Sequence, residues 1–511
     1  MSDVVLVQPR ASLFDEVLEG HSLPLSIMIA GSVVAQERKI TLIDQRTSDD
    51  WEGELRSAVR SGPVCVGTTT MTGIQIWQAL EISRTVKDED PEIPVVWGGP
   101  HATLDPAGTV RHPLVDAAVV GDGEHTLWEL VRALEDGRPL SAIKGLVYSK
   151  DGKVHVNPPR PPSALDELPD PPFHLLRDPE NYIFGRRGRR CMSVPTSRGC
   201  PRMCTFCVST VVGRGMWRAM SVVRVLDLVT SMVERFDLGF VWFEEQDSFI
   251  DRKRILAIAQ GFVDRGLDIQ WEANAHVTEL SRMSDEDLSI LERGGMKDLI
   301  IGVESGSQRI LDSINKGLSI ETVHALNRRL ASYPFHPRYC VMSGFPGETE
   351  EDLAATVSLM ARVIEENPRA STNCLYPVIP YPGTEYLAKA MAQGLEPPDS
   401  LEGWTAFDTY VALRDGLDRI LPWVTEERAK LLRRLYVISN FIDEKSDIVS
   451  NPVLRTLSRL YRPVARARFF SMNTSFMELE DALYIKGREG VFTSPAREPV
   501  VGPTMAPEDP R

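Results

Sequence analysis

Three cysteines, Cys200, Cys204 and Cys207, stand in the run SRGCPRMCTFC, spaced C-x3-C-x2-C. No other feature restricts the chain so tightly. Three thiolates on one loop can hold three irons of a four-iron cluster, whereas a fully ligated cluster takes four cysteines. The fourth iron then keeps an open position, where a substrate can bind and receive an electron. The competing reading is a zinc knuckle, which needs a fourth Cys or His at ligand spacing. No His lies near the loop, and the nearest other cysteine, Cys191, sits on the preceding apolar stretch. The loop therefore reads as a [4Fe-4S] site with Cys200, Cys204 and Cys207 as both metal ligands and catalytic residues.

The other bulk properties narrow the class. A chain of 511 residues predicts two or three domains. A net charge of −15 argues against nucleic acid or an anionic membrane as the main partner. The one basic run, Arg186, Arg187, Arg189 and Arg190, reads as a solvated loop. The start, MSDVVLVQPR, has no basic region or cleavage site and reads as a strand rather than a signal peptide. No run approaches the ~18 apolar residues of a membrane span. Seven cysteines with three clustered fit the reducing cytoplasm. Cys65, Cys191, Cys340 and Cys374 lie in apolar runs and read as core residues.

Residues 1–145 alternate apolar runs (Val4–Gln8, Ile40–Asp44, Val64–Thr68, Val95–Gly98, Ala117–Val120) with helical patterns. Wholly apolar strands alternating with helices predict an α/β, doubly wound, Rossmann-like parallel sheet. Ligands of such sheets bind beyond the strand carboxyl ends, where GTTTMTG, GGPHAT and GDGEHT stand. Residues 146–190 read as a connector: a hairpin turning at Asp151-Gly152, then a proline-rich linker. A second alternation over 191–400 predicts a partial (β/α)6 TIM-like barrel, with the cysteines after its first strand. Residues 401–490 read as helical, and 491–511, rich in Pro and Gly, as disordered.

The cysteine spacing, with Phe206 before the last cysteine, resembles the radical S-adenosylmethionine (SAM) superfamily. The later loops GVESGS, GFPGET and PYPGTE, in that order at successive strand ends, resemble the cobalamin-linked branch. VGTTTMTG, VVWGGPHAT and VGDGEHT resemble the cobalamin-binding domain that precedes its barrel. The resemblance implies three cofactors: a [4Fe-4S] cluster, SAM and cobalamin. It places Glu244 or Glu245, in FEEQDSF, against the SAM amino group. The family more often has paired aspartates there, the first of which is Gln246 in this chain. Glu304 and Ser305 suit SAM's ammonium or ribose by charge-assisted hydrogen bonds, with glycines letting backbone approach the ligand. Gly98 and Gly99 would admit the cobalamin nucleotide tail. Thr69, Met71, Thr72 and Gly73 would lie under the corrin, and Gly121, Gly123 and Glu124 would line the same crevice. The D-x-H-x-x-G motif that ligates cobalt from below is missing, since none of the nine histidines follows an Asp by two positions. WEANAH carries His276 where the branch often has Arg, and no role is assigned to it. The implied activity is a class B radical SAM methyltransferase, moving a methyl from SAM through cobalamin to an unactivated carbon, or phosphorus, of a biosynthetic intermediate. A small-molecule substrate and an electron donor such as flavodoxin or ferredoxin are implied partners. Two alternatives stay open: a cyclase or oxidative rearrangement enzyme of the same family, and a non-catalytic SAM- or cobalamin-binding regulator.

Overall fold

The computed structural model describes residues 3–10, 21–443, 452–478 and 481. Its first sheet has the order β2-β1-β3-β4-β5-β6-β7. The strands are β1 (Val4–Gln8), β2 (Ile40–Asp44), β3 (Cys65–Thr69), β4 (Val95–Gly98), β5 (Ala117–Val119), β6 (Leu146–Lys150) and β7 (Lys153–Val156). The first five are parallel. β1 and β3 are buried along their whole length, as strands covered by helices on both faces must be. The order 2-1-3-4-5 reverses between β1 and β3, which opens a crevice at their carboxyl ends.

The hairpin forms as the sequence predicts, with Asp151 and Gly152 both at positive φ (52° and 70°). It is not a free connector, however: β6 pairs antiparallel with β5 and extends the first sheet. The alternation of Leu146, Val147 and Tyr148, all buried, supplies the apolar surface that docks it.

The second sheet curls into a partial barrel. An antiparallel edge strand, β8 (Phe184–Arg186), precedes β9 (Arg189–Val194), β12 (Phe240–Phe243), β13 (Gln270–His276), β14 (Met296–Glu304), β15 (His336–Ser343) and β16 (Ser371–Thr372), which are parallel. The last strand of the barrel is broken: β16 ends at Thr372, and only β17 (Tyr376–Pro377) pairs again with β15. Between them the chain is tied to the C-terminal helix 426–439 and its exit instead. Leu375 N donates to Ser439 Oγ (3.0 Å) and Thr372 N to Asp443 Oδ2 (2.7 Å). The helix thus covers the side where a full barrel would have further strands. Two short strands, β10 (Ser197–Gly199) and β11 (Trp217–Ala219), form a separate ribbon around the cysteine loop. All these elements belong to one unit, Met1–Thr474. The tail 491–511 lies outside the described residues, and no helix among the described residues is long and apolar enough to cross a membrane.

Candidate active site

The cysteine loop leaves β9 through the ribbon. Gly199 sits at φ +83°, and a Cβ there would fall 2.0 Å from the Met216 carbonyl oxygen, so only glycine closes the ribbon. The loop is stitched to the turn after helix 308–313: Thr205 N donates to Ile314 O (3.1 Å) and Asn315 Nδ2 to Met203 O (3.0 Å). Cys204 is buried, Cys200 and Cys207 are half-buried, and none of the seven cysteines is bridged. Burial pushes the Cys200 and Cys204 thiols up. Bound iron reverses this, since a coordinated thiol is deprotonated outright. Among the described residues no three His, Cys, Asp or Glu side chains gather round one metal ion.

Of the two glutamates after β12, Glu245 lies beneath the cysteine loop. Its Oε2 accepts from Thr196 Oγ1 (2.7 Å) and from the Ser197 hydroxyl, while its buried Oε1 has no partner. Glu244 turns away, toward Ser193 of β9 and Arg46 in the loop after β2; its buried Oε2 also lacks a hydrogen-bond partner, and burial raises its carboxyl. Gln246 is a strut: its Oε1 accepts from Gly199 N (3.0 Å). Asp247, which sequence reasoning passed over, completes the floor. Its Oδ1 accepts from Phe249 N (3.0 Å), and its buried Oδ2 has no partner and stands 4.0 Å from Arg202 Nε. Burial, more than any neighbour, lifts this carboxyl to about 6. The available signal was its place as the second member of the aspartate pair whose first is Gln246.

Glu304 ends β14 at φ +76° beside a register shift, and its Oε1 accepts from Lys316 Nζ (2.7 Å). Ser305 does not join it. That hydroxyl is fully buried against Thr356 Oγ1 (3.1 Å) and accepts from Ser307 N (3.1 Å). Gly306 serves the same packing, since a Cβ there would fall 2.2 Å from Ala355 O in helix 350–366. It lets a helix approach, not a ligand. His276 is structural: Nδ1 accepts from Thr278 N (3.2 Å), Nε2 faces Lys316 O (3.1 Å), and burial lowers the imidazole to about 3.

At the first sheet's crevice lies a cleft lined by Leu6, Gly67, Val96 and Val119 and by polar residues. Thr69, Gly98, Gly99, Gly121, Gly123 and Glu124 all line it. Met71, Thr72 and Gly73 do not. Met71 is half exposed, Thr72 Oγ1 bonds His101 Nδ1 (2.9 Å), and Gly73 caps helix 74–89 at φ +117° against Asp408. Among the wall residues that the sequence did not announce is Arg198, two positions before Cys200. It reaches from the ribbon to Glu124 Oε1 (2.6 Å) and Asp122 Oδ1 (3.2 Å), and Arg218 holds Asp122 from the facing strand (2.7 Å). The cleft and the cysteine loop thus share one wall.

Residues 17–131 match the B12 binding domain family and residues 194–360 the radical SAM superfamily. The chain belongs to the cobalamin-binding radical SAM family. It is 29% identical over 476 residues to the uncharacterized methyltransferase PH0819 of Pyrococcus horikoshii, covering 90% of this chain and 99% of that protein. It is 29% identical over 349 residues to the anaerobic magnesium-protoporphyrin IX monomethyl ester cyclase of Rubrivivax gelatinosus, covering 67% of this chain and 61% of that one. The solved cobalamin-dependent SAM radical enzyme OxsB, with aqua-cobalamin bound, shares the fold at 17% identity and a TM-score of 0.71, over 96% of this chain and 76% of that one.

The chain is therefore a cobalamin-dependent radical SAM enzyme whose cofactors are a [4Fe-4S] cluster, SAM and cobalamin. Its residues fit all three. The donor set of the loop is three unbridged thiols. Two buried carboxylate oxygens, on Glu245 and Asp247, lack partners beside that loop, as acceptors for a cationic ligand require. The cleft narrows onto glycines where a Cβ at Gly98 would meet nothing closer than 3.8 Å.

Proposed function

We propose that this chain is a methyltransferase that transfers a methyl group from SAM, by way of cobalamin, to an unactivated carbon or phosphorus of a small biosynthetic intermediate. The observation that carries the reading is Arg198, which joins the cobalamin cleft to the cysteine loop through one side chain. When bound, the cluster supplies the electron that cleaves SAM and the cobalamin carries the methyl group. The chain's own residues position and enclose. Cys200, Cys204 and Cys207 would hold the cluster. Glu245 and Asp247 would accept from the SAM ammonium, with Glu304 behind them. Gly98, Gly99, Thr69, Gly121, Gly123 and Glu124 would cradle the cobalamin. Residues 1–145 would carry the cobalamin and residues 191–400 the radical chemistry, with a flavodoxin- or ferredoxin-type donor supplying electrons.

The similarity to PH0819 over nearly its full length supports methyl transfer. The similarity to the magnesium-protoporphyrin cyclase favours a second reading, radical ring closure without methyl transfer. Turnover of the reduced, reconstituted protein with methyl-deuterated SAM and candidate substrates separates the two. The proposal expects a product carrying three deuteriums, one on each methyl hydrogen position; a cyclised product without label would establish the second reading.

A further inference from the structure

Among the described residues, Lys316 is the lysine the fold brings to the cysteine loop. It follows helix 308–313 in the turn whose backbone is tied to that loop at Thr205 and Met203. Its side chain is only 8% exposed. Nζ donates to Glu304 Oε1 at 2.7 Å, and a Cβ on Gly302 would approach it to 3.0 Å, so the ammonium is confined. The Lys316 carbonyl faces His276 Nε2 at 3.1 Å, which fixes the backbone as well. The Glu304 carboxylate at 2.7 Å keeps the buried ammonium charged.

A confined positive charge in the turn that is tied to the cysteine loop, and that lines one pocket with Pro201, Arg202 and Met203, acts on electron transfer. Adding an electron to the cluster makes it more negative, and a nearby cation stabilises the more negative state. The Glu304 carboxylate opposes this with the opposite sign, and Coulomb contributions add, so what Lys316 supplies is the difference from that carboxylate standing alone. We propose that Lys316 is a positioning residue that holds the Glu304 carboxylate and raises the reduction potential of the cluster held by Cys200, Cys204 and Cys207. The step is one-electron: the donor is oxidised by one electron, the cluster is reduced by one, and no proton moves. The inference rests on the cluster site alone and not on methyl transfer.

The test is an EPR-monitored redox titration of the anaerobically reconstituted full chain with dithionite, without SAM or substrate. The potential of Lys316→Met should fall. A tenfold drop in the reduced-to-oxidised ratio at fixed potential is about the effect expected of one partly screened charge, and equals 59 mV for a one-electron couple. Lys316→Arg, which keeps the charge, should stay near the parent. An unchanged potential in Lys316→Met with full iron content overturns the proposal and leaves Lys316 a structural partner of Glu304. If Lys316→Met does not retain iron, Glu304→Gln decides. Removing the opposing negative charge should move the potential upward, and a fixed or lower value refutes the assignment.

Discussion

Gly98 and Gly99 are adjacent, both line the cobalamin cleft, and should respond to substitution in opposite ways. Gly99 sits at φ +86°, and a Cβ there would fall 2.4 Å from Thr69 Oγ1, 2.8 Å from Thr70 N and 2.9 Å from Thr70 O. Thr69 could turn aside. Thr70 cannot, because its N donates to Gly98 O and its O accepts from His101 N, each at 2.9 Å. The left-handed backbone costs ~1–2 kcal/mol for a residue with a Cβ, and the overlap adds roughly 1–3 kcal/mol. Gly99→Ala should therefore lose about 3 kcal/mol of stability and melt several degrees lower. Gly98 is extended, with φ −135°, and its Cβ position opens on the cleft. Gly98→Leu should melt within a degree or two of the parent while its side chain occupies the space of the ligand. An intrusion worth roughly 1–3 kcal/mol weakens cobalamin about 5- to 150-fold. Thermal melts of the apo-proteins and absorbance titrations with hydroxocobalamin measure both effects. Parental affinity in Gly98→Leu, or a parental melting temperature in Gly99→Ala, would refute the placement of the ligand or of the turn.

Replacing Cys200, Cys204 and Cys207 together by Ala should abolish the brown charge-transfer band and the ~4 irons per chain of the reconstituted protein, while Cys65→Ala should keep both. Arg198→Met leaves the buried Glu124 carboxylate, 1% exposed, without its cation and should cost about 3 kcal/mol. Adding Glu124→Met should restore most of that in a melt. Glu348 accepts from Gly344 N (2.9 Å) and Arg428 Nη2 (3.2 Å), yet burial raises its carboxyl to about 7. An acid raised in the folded state binds its proton more tightly there, so the parent loses stability as pH rises from the ordinary carboxylate value through about 7. The melting temperature of Glu348→Gln relative to the parent should thus climb between pH 5 and pH 8; a flat difference would contradict the raised value.

Regular elements were legible because their signals are local. β1, β2 and β4 begin and end where the apolar runs do, and the helix starting at Glu350 is announced by Thr349 and Asp352, which form a reciprocal capping box. The broken strand at 371–377 was not, because its backbone N–H groups donate to Ser439 and Asp443, over 60 residues away, in place of a sheet partner. The cysteines were legible from spacing. Their surroundings were less so, because motif residues in one short run can face opposite ways: Glu245 lies under the loop while Glu244 faces Ser193. Ser305 and Gly306 carry a ligand-like motif, but the approach of helix 350–366 accounts for both. Arg198 and Lys316 carry no motif of their own. Each matters through a partner 74 or 12 residues distant, a relation that periodicity and spacing do not encode.

The most direct test of the account is the ratio of coproducts released when the reduced, reconstituted enzyme turns over SAM and substrate without oxygen. A methyltransferase that joins a cobalamin cleft to a radical-generating loop uses SAM in two different bond cleavages. The account predicts one S-adenosylhomocysteine and one 5′-deoxyadenosine per methylated product. Substrate-dependent 5′-deoxyadenosine without matching S-adenosylhomocysteine would contradict it.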